Sequence, residues 1–96
     1  MTLFDMTGKS AVITGSTKGI GRAIAERMVE HGAQVVISSR KQDQCDQVAK
    51  EINDKFGKGK AIAVAANISS KENLQNLVDE SKRAYGKIDV LVCNAA

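Results

Sequence analysis

Residues 10–21 read Ser10-Ala11-Val12-Ile13-Thr14-Gly15-Ser16-Thr17-Lys18-Gly19-Ile20-Gly21, and the fold follows from how this stretch changes character. It begins as a short apolar run through Ala11, Val12 and Ile13, continuous rather than alternating, as a strand buried on both faces requires. Three glycines then interrupt it. From Gly19 to His31, Ile20, Ile24 and Met28 recur every four positions with Ala23 beside them, the spacing of one apolar helix face. Gly32 supplies the stop.

The same alternation continues to the end of the chain. Gln34 to Ser38, centred on Val35, Val36 and Ile37, is a second buried strand whose β-branched run favours extended backbone; Ser39, Arg40 and Lys41 follow it. A second helix is predicted over Asp43 to Phe56, with Cys45, Val48, Ala49, Ile52 and Phe56 on one face and Gly57 and Gly59 beyond its end. Ala61 to Ala65 forms a third strand. Ser69 with Glu72 three residues later is a capping box, opening a third helix with Leu74, Leu77, Val78, Ser81 and Tyr85 inward, and Gly86 closes it. Val90 to Cys93 is a last strand, apolar throughout, running into Asn94, Ala95 and Ala96.

The order β-α-β-α-β-α-β, joined by right-handed crossovers, predicts an α/β fold with helices on both faces of a parallel sheet. Residues 1–96 read as one domain, part of a Rossmann-type doubly wound sheet with strand order 3-2-1-4, and ligand is expected beyond the carboxyl end of the first strand.

The glycine turn has its own chemistry. Unpaired backbone N–H groups at a helix start are ready donors for phosphate oxygens. Gly15 permits the tight turn, Gly19 lets backbone approach a phosphate, and Gly21 lets the helix pack closely on the sheet. Ser16 and Thr17 add hydroxyls, Lys18 adds positive charge, and Ile20 completes the loop. Glycines in such a position also serve merely to make the turn; here the buried strand before them and the amphipathic helix after them favour a dinucleotide. A kinase-type phosphate loop needs Gly-Lys-Ser/Thr at the helix start, whereas Lys18 precedes Gly19.

The end of the second strand selects among dinucleotides. An acid there would bind the ribose 2′-hydroxyl of NAD, and an S-adenosylmethionine site would want one too. Ser39, Arg40 and Lys41 stand in that place instead. An arginine fork suits a 2′-phosphate, so NADP(H) is the expected cofactor, against the plainer reading of a solvated surface pair.

Composition narrows the remaining classes. A hydrophobic fraction of 43% and a charged fraction of 26% over 96 residues describe an ordinary globular chain. The net charge of +3 is scattered rather than striped, so nucleic acid is not expected as a partner. The start, Met1 to Ser10, does not read as a signal peptide, and the longest apolar stretch, Ala61 to Ala66, is far short of a membrane span. Cys45 and Cys93 fall on a helix and a buried strand and read as reduced packing residues, with no metal-ligand spacing. The cytoplasm is the expected location. His31, in the last turn of a helix, reads as a surface residue complementing the helix dipole.

The run Thr14-Gly15-Ser16-Thr17-Lys18-Gly19-Ile20-Gly21 resembles the TGxxxGIG signature of the short-chain dehydrogenase/reductase family. The resemblance extends along the whole chain: Asn67-Ile68 stands where the family has Asp plus an apolar residue, and Cys93-Asn94-Ala95-Ala96 where it has Asn-Asn-Ala-Gly. It implies that Asn67 accepts from the adenine amino group and that the Ile68 N–H serves an adenine ring nitrogen. It also implies that Asn94 ties the sheet together and that the Ala95 backbone faces the ribose. Asn67, Cys93 and Ala96 depart from the pattern; the Asn67 amide still accepts, though without charge, and Ala96 brings a methyl toward the cofactor. The family's catalytic serine and Tyr-x-x-x-Lys pair belong to the second half of its fold. Tyr85 is followed four positions later by Asp89 and reads as core, so no catalytic residue is expected in this chain.

The resemblance therefore implies the cofactor half of an NADP(H)-dependent oxidoreductase that moves hydride between nicotinamide and a small carbonyl or alcohol substrate, inactive when alone. A non-catalytic nucleotide-binding or association module is the alternative, since Val90, Leu91 and Val92 would expose an apolar edge and favour a homo-oligomer. A marginally folded fragment is a third.

Overall fold

Small and β-branched residues build four short strands, β1 (Ser10–Thr14), β2 (Gln34–Ser38), β3 (Ala61–Ala63) and β4 (Val90–Cys93), in a computed structural model that describes residues 5–94. Between them lie the helices α1 (Gly19–Glu30), α2 (Gln42–Phe56) and α3 (Lys71–Tyr85). The strands run parallel in the order β3-β2-β1-β4, the doubly wound arrangement predicted from the element order. β1 is buried along its whole length, which explains its unalternating sequence: each side chain meets a neighbour on one face or the other. The register sets Thr14 beside both Ser38 and Cys93. Three strand ends therefore finish in one row, and their loops leave from it together.

On one face of the sheet Ala11, Ile13, Val35 and Ile37 meet Ala25 and Val29 of α1 and Cys45, Val48, Ala49 and Ile52 of α2. On the other, Val12 and Val36 meet Ala66 and Leu77, with Tyr85 and Ile88 partly buried beside them. The expected inner face of α2 is present as read from the sequence. That of α1 is not. Gly21, Ala25 and Val29 are its buried residues, while Ile20 is 73% exposed, Ala23 is exposed, and Ile24 and Met28 are half-buried. Gly21 explains the rotation: a Cβ added there would lie 2.2 Å from the Gly15 carbonyl oxygen, so α1 comes down on its smallest residues. Ile24 and Met28 pack only against the edge of this core, and with Ile20 they line a shallow apolar hollow beside Met6 and Arg27.

Further expectations shift in detail. The cap of α3 is Ser70 rather than Ser69; its Oγ accepts from the Asn73 N–H at 3.2 Å, satisfying an orphan donor of the first turn. Leu77 and Ser81 are buried, but Leu74 is 40% exposed. β3 ends at Ala63, although the chain stays alongside β2, with Val64 N–H donating to Ile37 O at 3.0 Å and Ala66 N–H to Ser39 O at 2.9 Å.

The two outer strands differ. Along β3, Asn53 donates to Ala61 O at 2.9 Å and accepts from Ala61 N–H at 2.8 Å. Gln42 likewise accepts from Ala65 N–H at 2.9 Å and donates to Ala63 O at 3.3 Å. Among the described residues β4 pairs only with β1. Val90 and Val92 pack against the α1–α2 core, whereas on the opposite face Leu91 is 55% exposed and Cys93 is exposed rather than buried as expected; Cys45 is buried, and both thiols are free. Among the described residues no helix is long and apolar enough to cross a membrane, and no side-chain cluster could hold a metal ion.

Candidate functional site

β1 delivers the chain to the row of strand ends at Thr14, and Gly15 (φ 64°) and Gly19 (φ 63°) make the turn in the left-handed region that glycine enters without a Cβ penalty. The turn hands over to α1 at Lys18. No side chain caps the helix start there, and its first turn contains no acid. The first N–H groups of α1 are thus left without a side-chain partner, and the helix dipole adds partial positive charge. A Cβ on Gly19 would meet nothing within 4 Å: the space before the loop is open. This arrangement fits a bound pyrophosphate.

The eight loop residues do not share one task. Ser16 is fully buried; its hydroxyl donates to Ile13 O at 2.7 Å and accepts from Ser38 N–H at 2.9 Å, while its own N–H donates to Ser38 O at 3.1 Å. Its hydrogen-bonding groups brace the loop against β2 rather than face outward. Gly21 serves the close approach of α1, as the sequence implied. Thr17 and Lys18 line a polar depression with Arg22, Asp43, Gln44 and Glu51, and Ile20 lies on the surface beside the loop. The Arg22–Glu51 contact at 2.7 Å, which sequence reasoning missed, joins α1 to α2. Glu51 is held below its usual range by a hydrogen bond from Gln47 and then by Arg22.

Beyond β2, Ser39 is half-buried while Arg40 and Lys41 are exposed. The ion pairs among the described residues join Arg22, Arg27, Lys50, Lys55, Arg83 and Lys87 to acids. Lys18, Arg40 and Lys41 take part in none of these, so their charge is available at the site. No residue from Ser38 to Gln42 is acidic.

Asn67 and Ile68 are both exposed where the chain leaves the third strand. The Asn67 side-chain oxygen accepts from Ser69 N–H at 3.0 Å; an amide oxygen has a second lone pair for another donor. Asn73 accepts from the Asn67 N–H at 3.2 Å, a support for this loop that carried no motif in the sequence. Asn94 donates through its backbone N–H to Thr14 Oγ1 at 3.0 Å and through Nδ2 to Gly15 O at 3.4 Å. It thereby ties the end of β4 to the glycine turn, the structural part implied by the resemblance. Ala95 and Ala96 lie outside the described residues.

Two residues set aside on sequence grounds stay apart from this row. Tyr85 donates to Val35 O at 3.2 Å, and burial pushes its hydroxyl up to about 12. Val35 and Asp89 belong to the opposite end of the sheet, where Ser10 N–H donates to Asp89 at 2.9 Å and, with Lys87, holds that carboxyl below its usual range. His31 is the residue that ends α1.

Comparison with known proteins agrees with this geometry. Residues 9–96 match the short chain dehydrogenase family. Tropinone reductase-like 3 of Erythroxylum coca is 45% identical, over 93% of this chain and 34% of its own. Among solved structures, L-sorbose reductase from Gluconobacter frateurii, complexed with NADPH and L-sorbose, superposes with a TM-score of 0.90 at 37% identity, over 96% of this chain and 35% of its own. The 3-ketoacyl-(acyl-carrier-protein) reductase of Brucella melitensis, complexed with NADH, gives 0.82 at 38% identity, over 91% and 34%. The chain thus spans about a third of the length of these relatives. With the TGxxxGIG turn, the parallel order of strands and a family match over nearly all its residues, the chain belongs to the short-chain dehydrogenase family of oxidoreductases.

Proposed function

We propose that residues 1–96 are the NADP(H)-binding part of a reductase or dehydrogenase acting on a small carbonyl or alcohol. Relatives carry either NADPH or NADH, so the choice between them rests on this chain's own residues. The observation that carries it is Arg40, exposed at the end of β2 and in none of the ion pairs among the described residues, in a segment with no acid to repel a 2′-phosphate.

In this reading the N–H groups of the glycine turn and of the α1 start hold the pyrophosphate, with Lys18 adding charge. Ser16 and Gly21 hold that loop in shape. Arg40, with Ser39 and Lys41 beside it, takes the 2′-phosphate. Asn67 and the Ile68 N–H take the adenine, Asn94 ties the end of β4 to the glycine turn, and Ala95 serves the ribose. The bound nicotinamide supplies or accepts the hydride. A serine and a Tyr-x-x-x-Lys pair from a further part of the protein handle the proton, because Tyr85 is committed to Val35 at the far end of the sheet. The chain alone therefore binds without turning over. We place the protein in the cytoplasm with reduced thiols.

Calorimetric titration tests the assignment. Arg40→Ala is expected to weaken NADPH binding about tenfold to a hundredfold, the loss of one charged hydrogen-bonding partner, and to change NADH binding less than about twofold. Equal binding of the two nucleotides by the unaltered chain would overturn it.

A second reading is favoured by one observation, the open edge of β4 with Leu91 55% exposed: the chain self-associates through this strand as a homo-oligomer.

A further inference from the structure

We infer that Ser39, gripped by the buried thiol of Cys45, fixes the position of Arg40 and so determines how strongly a 2′-phosphorylated nucleotide is preferred; the inference rests on the reading of Arg40 given above. β2 ends at Ser38 and α2 begins at Gln42, leaving a connection of Ser39, Arg40 and Lys41. A long cation on a short exposed connection discriminates well only if its backbone is already in place, because ordering it on binding consumes affinity. Here the backbone is held on both sides of Arg40.

Ser39 N–H donates to Cys45 Sγ at 3.1 Å, and Ser39 C=O accepts from Ala66 N–H at 2.9 Å. The Ser39 hydroxyl accepts from Lys41 N–H at 3.3 Å and lies 3.3 Å from the same sulfur. Lys41 C=O in turn accepts from Cys45 N–H at 3.1 Å. The residues flanking Arg40 are thus both tied to Cys45, whose side chain is fully buried in the core formed with Val48, Ala49 and Ile52. The sulfur transfers the rigidity of that core to an exposed connection. A valine in its place would pack comparably but could neither accept from Ser39 N–H nor donate to its hydroxyl. The bond to Ala66 extends the unit to the residue before Asn67.

The inference is tested on the full chain by titrating NADPH and NADH against Cys45→Val, Arg40→Ala and the double variant, with circular dichroism melts to follow folding. Cys45→Val is expected to weaken NADPH binding about threefold to tenfold, the loss of a neutral hydrogen bond, while NADH binding moves less than about twofold. In the Arg40→Ala background the same substitution should leave NADPH binding unchanged, because the group that it positions is gone. Cys45→Ser, which keeps a donor and an acceptor, should recover part of the preference. Equal losses for both nucleotides, no loss for either, or an undiminished loss without Arg40 would overturn the inference. If Cys45→Val fails to fold, Cys45→Ala removes the thiol with less disturbance and is read by the same criteria. A preference that survives Arg40→Ala would instead overturn the reading of Arg40 itself, a result the single variants tell apart.

Discussion

The two faces of the sheet are built unequally. On the α1 and α2 face, five inward strand side chains, Ala11, Ile13, Val35, Ile37 and Ala61, meet two helices, and the core there includes Ala25, Val29, Cys45, Val48, Ala49 and Ile52. On the α3 face Val12, Val36, Ala66 and Leu77 form a much smaller buried group, edged by the half-buried Ile62, Val64, Tyr85 and Ile88. The glycine turn, Ser16 and the Cys45–Ser39 contact all belong with the heavily packed face. The glycine turn and the Ser39–Lys41 connection thus draw their rigidity from one side of the sheet, while the Asn67–Ile68 loop is braced by Asn73 of α3, the single helix that holds the other side.

The comparison can be broken at its tightest point. Gly21→Ala would put a methyl group 2.2 Å from Gly15 O and 2.6 Å from Asn94 Nδ2, and is expected to cost more than about 3 kcal/mol in urea unfolding and to abolish nucleotide binding. A stable variant that still binds would show that α1 does not depend on this approach. Paired truncations sharpen the contrast: Ile52→Ala, with 1% exposure on the packed face, should cost about 3 kcal/mol and Leu77→Ala, also 1% exposed on the α3 face, about 2 kcal/mol, because the thinner face collapses more readily around the gap. Equal losses would erase the distinction.

Tyr85 reports on the α3 face through pH. Its folded pKa, raised to about 12 by burial, exceeds the unfolded value near 10, so the unfolded chain releases its proton first. The stability that this group contributes is complete below about pH 10 and is lost as pH rises toward 12. Tyr85→Phe should cost about 1 kcal/mol at neutral pH, the hydrogen bond to Val35 O, and should show a shallower alkaline loss than the unaltered chain. Identical slopes in urea melts would argue against the burial of this hydroxyl. The smallest effect is expected at Ile20→Gln, within about 0.5 kcal/mol by thermal melting, since Ile20 is 73% exposed.

Much of this was legible in the sequence because backbone requirements and periodicity are local properties. The glycine turn, the order of elements and the inner face of α2 all follow from residues close together along the chain. The face of α1 did not, because hydrophobicity ranks Ile20, Ile24 and Met28 above Gly21 and Ala25, whereas the approach to Gly15 selects for smallness. Cys93 was misplaced since an apolar strand looks alike at the centre of a sheet and at its edge. The bracing by Ser16 and the grip of Cys45 on Ser39 depend on contacts across strands and turns. No spacing rule announces them.

Asn53 and Gln42 have a bearing on assembly. Their amides satisfy the outward backbone groups of Ala61, Ala63 and Ala65, standing in for a neighbouring strand that is not there. β4 carries no such decoy among the described residues. A sheet that is adhesive along both margins recruits copies without limit and grows into a fibre, whereas one with a single adhesive margin is saturated after one partner. The amides of Asn53 and Gln42 close the β3 margin to such growth, and both sit on α2, the helix that also carries Cys45.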